Sequence, residues 1–509
     1  MQRVRLAELC ASTSLFTDLG TGQPVEHGLR TCLVAMRLAA ALGLDDDTRR
    51  EVLYVSLLRF LGCTADAHVV AEMAEGDETV ILAGAAPVYF GSPREEMTRI
   101  LSLVGRGASV PRRLRALARA LADPGGGNRL MQAHCEVASR LAEEMSLPAG
   151  VPAALEVAYA RWDGKGVPAG LGGEDIPASV RVAIVARDVE LWTREAGPEA
   201  AMETLGERRG RAYDPAAVDA ALGLGPEELR RSGDDLWDMV VAAEPTPWSD
   251  VTGPDIDRAL IALGDFADLK IPAAVGHSRR VRDLVAIAGE DGLRDEEDRR
   301  VLVRAGAIHD LGLVAVPVGA LKEETQSATA REQMRMHPIW TQRILDRCGD
   351  LAPIGALAGR HHECLDGSGY PAGTVGDIQG DACLLASAEM YDELLMPGRG
   401  RPALTAAAAA QELSRHASRG AISPDDAKAV LEAAGVAAPL IETRRPAGLT
   451  EREVDVLVLL ARGESNRQVA GRLGISPKTV GTHIEHIYAK AGVTTRAAAT
   501  LFAVQNGLV

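Results

Sequence analysis

The chain has 509 residues, a formal net charge of −16 and only 3% aromatic residues; that length accommodates about three domains with real cores, and few aromatics beside abundant alanine favour helices over sheets. Its seven cysteines are odd in number and form no CxxC pair, which excludes a disulfide frame or a cysteine zinc cage and predicts reduced thiols in the cytoplasm. The start MQRVRLAELCAS has no signal-peptide core, and no apolar run of about eighteen residues predicts a membrane span.

After Gln23 the chain reads PVEHGLRTCLVAMRLAAALGLDDDTRREVLYVSLLRFLGCTADAH. Leu29, Cys32, Leu33, Met36 and the run Leu38 to Leu42 predict a helix that Gly43 and an acidic cluster terminate. A second helix is predicted over 48–61. Further on stand HCEVASRLAEEMSLP from His134 and ARWDGKGVPAGLGGEDIPASVRVAIVARDVELW from Ala160. The segment EPTPW, 244–248, has two prolines and no periodicity, so a domain boundary is predicted near 246–253.

The second half repeats the landmarks of the first. GHSRRVRDLVAIAGEDGLRDEEDRRVLVRAGAIHDLGLVAVP begins at Gly276, MHPIWTQRIL at Met336 and GRHHECLDGSGYPAG at Gly359. Both halves run His, apolar helix, glycine turn, His, then a D-G-x-G-x-P-A-G loop, the mark of a duplication. Aligning Gly62 with Gly312 sets Arg59 and Phe60 opposite His309 and Asp310. Aligning Asp163 with Asp366 sets Ala158 and Tyr159 opposite His361 and His362. The first copy therefore keeps His27, His134, Asp163 and Gly164 but lacks most ligand-type residues. It is predicted to be a structural, dimerising or sensing domain.

The second copy holds His277, His309, Asp310, His337, His361, His362 and Glu389 on separate helical segments, as metal sites in bundle cores are built. Imidazole and carboxylate donors suit a divalent Fe, Mn or Zn. A carboxylate such as Asp310, beside a histidine ligand, can bridge two ions and help supply the nucleophile for in-line attack on a phosphodiester. Six histidine and aspartate positions at motif spacing are poorly explained as core packing, because unpaired buried imidazoles are costly. HS at His277, HDLG at His309, HP at His337 and HHECLDGSGYP at His361 resemble the HD-GYP branch of the HD phosphohydrolases over about 272–435. That resemblance implies an all-helical, metal-dependent hydrolase of cyclic di-GMP. It implies His277, His309, Asp310, His337, His361 and His362 as ligands, and Asp366 with the loop Gly367, Gly369, Tyr370 and Pro371 as shaping the site, Asp310 and Asp366 being the catalytic carboxylates. The sequence departs from the family in three places. Leu313 replaces a phosphate-binding lysine and offers no charge-assisted hydrogen bond. Glu389, in AEMYDEL, replaces an aspartate ligand, and LKEETQSATAREQ lacks the family's proline.

A linker is predicted at ETRRPAG, 442–448, short enough for the tail to feel the orientation of the bundle before it. The tail from Leu449 reads LTEREVDVLVLLARGESNRQVAGRLGISPKTVGTHIEHIYAKAGVTTRAAATLFAVQNGLV. Thr450 with Glu453 and Ser465 with Gln468 predict capping boxes. Val454, Leu457, Leu460 and Ala461 predict an inward stripe up to Gly463, and Val469, Ala470 and Leu473 a second one up to Gly474. Ser476 and Pro477 start a third helix, with Val480, Ile484, Ile487, Tyr488 and Ala491 inward. Its other face, Lys478, Thr479, Thr482, His483, His486 and Lys490, with Asn466 and Arg467 on the helix before, offers groups for base edges and phosphates. This helix-turn-helix resembles the LuxR-type (GerE-type) DNA-binding domain almost end to end. The tail has two more basic than acidic side chains, so DNA contact fits this part of an otherwise acidic chain. Leu501, Phe502 and Val504 suggest a dimer seam, or plain packing on the helix beginning at Thr450.

The sequence thus predicts an all-α protein of three domains: a degenerate HD-GYP-like bundle (1–246), a second HD-GYP-like bundle with the metal site (253–440) and a four-helix LuxR-type domain (446–509). The expected function is a cytoplasmic regulator, dimeric on double-stranded DNA and without membrane contact, that senses or hydrolyses a cyclic dinucleotide in a metal-dependent way. The rival reading is a metal-dependent phosphodiesterase localised by its DNA-binding tail.

Overall fold

The structure, a computed structural model, describes residues 3–88, 92–106, 108–123, 125–231, 233, 235–290, 294–321, 327–373, 375, 380–398, 401–437, 446–461, 464–505 and 508. Among these residues the chain is helical apart from one short ribbon and three isolated bridges. It divides into two compact units, one of residues 1–362 with 392–404 and one of 363–391 with 405–509.

The first unit contains the repeated element series. A strand Arg3–Arg5, a helix Leu6–Gly20, the helices His27–Ala41 and Asp46–Leu58 and a 3-10 turn Leu61–Thr64 recur as strand Asp250–Thr252, helices Pro254–Asp268, His277–Ala288 and Glu296–Ile308 and the turn Leu311–Ala315. The duplication therefore begins at the N-terminus, earlier than the histidine landmarks indicate. The two strands pair antiparallel, with Val4 opposite Val251. Both valines are buried, and the flanking arginines and Asp250 alternate outward as the pleat requires. The predicted boundary at 246–253 is thus where the second copy's first strand meets the N-terminus. Glu244, just before it, accepts hydrogen bonds from Tyr54 (2.6 Å) and Arg5 (2.7 Å).

Local chemistry fixes the start of each histidine-bearing helix. Asp18 accepts from the Gly28 amide at 3.2 Å and Asp268 from the Ser278 amide at 3.0 Å. Each buried carboxylate satisfies an orphan donor of the helix's first turn, which places His27 or His277 at its first position. The helix predicted over 48–61 runs Asp46–Leu58, capped by Asp45 on the Thr48 amide at 2.8 Å. It gives way to a 3-10 turn because Gly62 must slide past another backbone. A Cβ on Gly62 would strike the His134 carbonyl, and one on Gly312 would strike the His337 carbonyl. These matched contacts make His134 the counterpart of His337.

The copies are locked together by buried polar contacts. Lys270 is 2% exposed; its Nζ donates to Val314 O at 2.6 Å and lies 3.7 Å from Glu78, which accepts from the Val318 amide at 2.8 Å. Burial drives Lys270 down to about 8, against the pull of Glu78. Their attraction offsets part of the desolvation of each; burial still raises the Glu78 carboxyl, and Glu78 Oε2 is buried without a hydrogen-bond partner.

In the second unit, the helices Ala406–Ser418 and Pro424–Ala433 start at caps on Thr405 and Ser423. The last four helices are Glu451–Ala461, Asn466–Leu473, Pro477–Ala491 and Arg496–Gln505. The helix Asp381–Leu395 begins in the second unit and ends in the first. Among the described residues, no single helix is long and apolar enough to cross a membrane. Glu442 to Arg445 of the predicted linker, and Gly463, lie outside the described residues.

Glu78→Ala should cost about 3–5 kcal/mol by leaving the Lys270 ammonium buried without its counter-charge. The double change Glu78→Met with Lys270→Met should cost less than the single one. Denaturant unfolding of the three proteins checks this ordering.

Candidate metal centre and nucleic-acid interface

Three histidines of the second copy are held in the same way. The Nδ1–H of His309 donates to Gly306 O (2.9 Å), that of His337 to Met334 O (2.7 Å) and that of His361 to Ala358 O (2.6 Å). A carbonyl can only accept, so Nδ1 carries the proton and Nε2 presents its lone pair inward. His277 Nδ1 instead meets Asp392 Oδ2 at 2.6 Å, and Arg280 Nε and Nη2 grip the same carboxylate at 2.8 and 3.0 Å. All four imidazoles are at most 1% exposed.

The inward nitrogens meet in pairs. His277 Nε2 lies 3.1 Å from His309 Nε2, and His337 Nε2 lies 2.9 Å from His361 Nε2. Asp310 sits between them. Its Oδ2 is 3.6 Å from Nε2 of both His277 and His309, and its Oδ1 is 3.2 Å from His337 Nε2 and 3.3 Å from His361 Nε2. His362, half-buried, packs against His361 with ring centroids 4.2 Å apart and planes tilted by 47°. One ligand atom from each of Asp310, His337, His361 and His362 falls within a 4.8 Å cluster. Burial alone would raise the Asp310 carboxyl, but the His309, His337 and His361 imidazoles override it and hold it well below the ordinary range. Burial also lowers His361, which favours the neutral ligand form.

Facing lone pairs about 3 Å apart repel, and protonating them would bury several charges. A cation between them removes both costs, so the donor set fits a divalent metal. Backbone carbonyls and Asp392 supply the outer partners that orient metal-binding histidines. Asp392 and Arg280 escaped sequence reasoning, although Asp392 closes the same AEMYDEL run that drew attention to Glu389. Thr341 was missed too: it donates to His309 O at 3.1 Å and accepts from the Gly312 amide at 2.8 Å, bracing the HD turn.

The remaining predicted residues of this copy lie in the second unit. Glu389 is buried, one turn before Asp392 on the helix Asp381–Leu395. Asp366 is exposed; its Oδ1 accepts from the Ser368 amide (2.9 Å) and hydroxyl (2.6 Å), so it shapes the loop. Gly367 has φ 76°, Gly369 is buried, and the peptide between Tyr370 and Pro371 is cis. Glu363, also missed, is buried and accepts from the Ala372 and Gly373 amides at 2.6 and 3.0 Å, tying the loop end to end. Leu313, in the first unit, is 3% exposed and part of the core. Lys322 to Gln326 lie outside the described residues.

The tail forms the predicted helix-turn-helix. Both capping boxes are present: Glu453 accepts from the Thr450 amide at 2.6 Å, and Gln468 from the Ser465 amide at 2.9 Å. Ser476 caps the third helix through the Thr479 amide at 3.1 Å. Val456, Leu457, Val469, Ala470, Val480 and Ile487 form the core. Phe502 packs against that core, which supports packing over a seam for this residue; the side chains of Leu501 and Val504 lie outside the described set. Asn466, Arg467, Lys478, Thr479, Thr482 and His486 are exposed, and His483 is half-buried. Lys490 and His486 also face the buried Glu453 carboxylate, Lys490 Nζ at 2.6 Å and His486 Nδ1 at 3.8 Å. Burial would raise Glu453, but Lys490 and the Thr450 amide take it down to about 2.

Comparison with known proteins agrees with both modules. The family model described as "HD domain" matches residues 95–217 and 262–425. That described as "Bacterial regulatory proteins, luxR family" matches 447–503. The 3'3'-cGAMP-specific phosphodiesterase 3 of Vibrio cholerae is 26% identical over 396 residues, covering 76% of this chain and 86% of that protein. The cyclic di-GMP phosphodiesterase response regulator RpfG of Xanthomonas campestris is 34% identical over 120 residues, 23% of this chain and 32% of that one. The crystal structure of the cyclic GMP-AMP specific phosphodiesterase V-cGAP3 of V. cholerae superimposes with TM-score 0.58 at 22% identity, covering 86% of this chain and 99% of that chain. This likeness shows a shared fold.

Asp392→Asn should weaken divalent-metal binding about 10–100-fold by freeing the His277 ring, measured by chelator competition. A carboxyl depressed on folding stabilises fully above its ordinary value of 4.5 and loses that contribution as pH falls towards 2. Hydrogen-exchange protection of the tail should therefore decline over that window, and Glu453→Gln should remove the decline while lowering protection at neutral pH.

Proposed function

The chain belongs to the HD domain family and ends in a luxR-family DNA-binding domain, and on that premise we propose a transcriptional regulator whose second HD copy binds divalent metal and acts on a cyclic dinucleotide. The observation that carries this reading is the buried Asp310 carboxylate, one oxygen turned to each pair of imidazole nitrogens. His277 and His309 would hold one ion, His337, His361 and His362 a second, and Asp310 both. Histidine and carboxylate donors suit Fe, Mn or Zn. Such ions, when bound, acidify water and neutralise phosphate charge.

The protein's own residues set the geometry for that chemistry. Carbonyl-anchored Nδ1 atoms keep His309, His337 and His361 from rotating, and Asp392 does the same for His277. Burial excludes bulk water, which strengthens the charge–charge terms on a phosphodiester. Glu363 and Asp366 hold the loop through Gly367, Gly369, Tyr370 and Pro371 in one shape. The cyclic dinucleotide assignment draws on the Vibrio phosphodiesterase, to which this chain is similar over most of both lengths.

One feature favours a second reading. Leu313 puts a buried alkyl group where a lysine would meet phosphate. A site that binds without efficient turnover is a sensor, in which occupancy biases a dimer on paired DNA half-sites. In both readings Lys478 and Thr482 on the exposed face of the third helix contact DNA.

Elemental analysis of wild type and Asp310→Ala, each then incubated with 3'3'-cGAMP and cyclic di-GMP, separates the readings. About two ions per chain, lost in the variant, with linear product from wild type only, is the expected result. Ions without product assign a sensor, and wild type without ions overturns the metal site. Lys478→Ala with Thr482→Ala should reduce DNA affinity at least tenfold and leave metal content unchanged.

A further inference from the structure

The first copy retains the scaffold of the metal centre and reverses its charge. His27, counterpart of His277, is paired through Nδ1 with Glu190 on the helix Ala178–Ala196, as His277 is paired with Asp392. Counting back one turn from each carboxylate, Arg187 takes the position of Glu389. Arg59 takes that of His309 and Phe60 that of Asp310. Two ligand positions of the second copy are therefore guanidiniums in the first.

Those guanidiniums are not neutralised one for one. Arg59 is 5% exposed, and its Nε and Nη1 are buried without a hydrogen-bond partner. The Phe60 and Tyr159 rings, 5.8 and 5.5 Å from its Cζ, flank it and hold it in place without satisfying those edge donors. Arg187 donates through Nη1 to Ala86 O at 2.6 Å and lies 2.7 Å from Asp188. Asp188 is shared, since Tyr213 donates to it and Arg208 lies 3.8 Å away. His134 adds a buried Nε2 without a partner. Burial and the charge of Arg187 bring Arg59 down to about 10, the response of a cation set beside another with too little anion between. An unpaired buried guanidinium costs several kcal/mol, and its planar fork of donors matches an oxyanion.

We infer that the first copy is an anion site, in which Arg59 and Arg187 receive a phosphate group at the place where the second copy receives metal. The ligand class is a phosphate-bearing metabolite or inorganic phosphate itself. This site is independent of whether the second copy hydrolyses anything.

The test uses the full chain carrying Asp310→Ala, so that phosphate held by metal in the second copy does not contribute, and inorganic phosphate as probe. Calorimetric titration should show saturable binding, and phosphate should raise the melting temperature more than chloride at equal ionic strength. Adding Arg59→Gln should weaken binding at least tenfold with the far-ultraviolet spectrum unchanged. If that variant does not fold, Arg187→Gln is read in the same way. Absence of saturable binding, equal stabilisation by chloride, or undiminished binding in the folded arginine variant would each overturn the inference. Nucleoside monophosphates in place of phosphate then distinguish a metabolite from the free ion.

Discussion

The placement of Asp310 between two pairs of buried histidines governs the rest of the first compact unit. Four imidazole nitrogens and a carboxylate turned towards one another out of water are unstable unless each ring is fixed and a charge is supplied. The fold meets the first need with backbone: each HD-type histidine leans on the carbonyl three residues behind it, and His277 leans on Asp392. The glycines serve the same end. Gly312 lets the HD turn approach the His337 carbonyl more closely than any side chain allows, and Thr341 ties the two segments together.

Duplication makes the dependence visible, because the first copy keeps the supports without the histidine cluster. Asp18 still fixes the start of the His27 helix, Gly62 still passes the His134 carbonyl, and His27 still has its carboxylate in Glu190. Those features stabilise the bundle by ordinary capping and packing, whatever occupies the centre. At the positions of His309, Asp310 and Glu389 the first copy holds Arg59, Phe60 and Arg187. Two copies of one scaffold thus hold opposite charges at equivalent points.

Short-range chemistry made much of this legible in the sequence. The capping boxes at Thr450 and Ser465 and the Ser476-Pro477 helix start all act within a few residues, and each forms as read. The missed features depend on partners far along the chain. Asp392 meets a histidine 115 residues away, and Glu78 and Lys270 belong to different copies. The helix Leu6–Gly20 escaped notice as part of the repeat because its buried face includes Ser12, Thr13, Ser14 and Thr17, which read as surface. Lys490 lies on the polar face of a DNA-reading helix, yet its ammonium is engaged by Glu453, whose burial only the fold reveals.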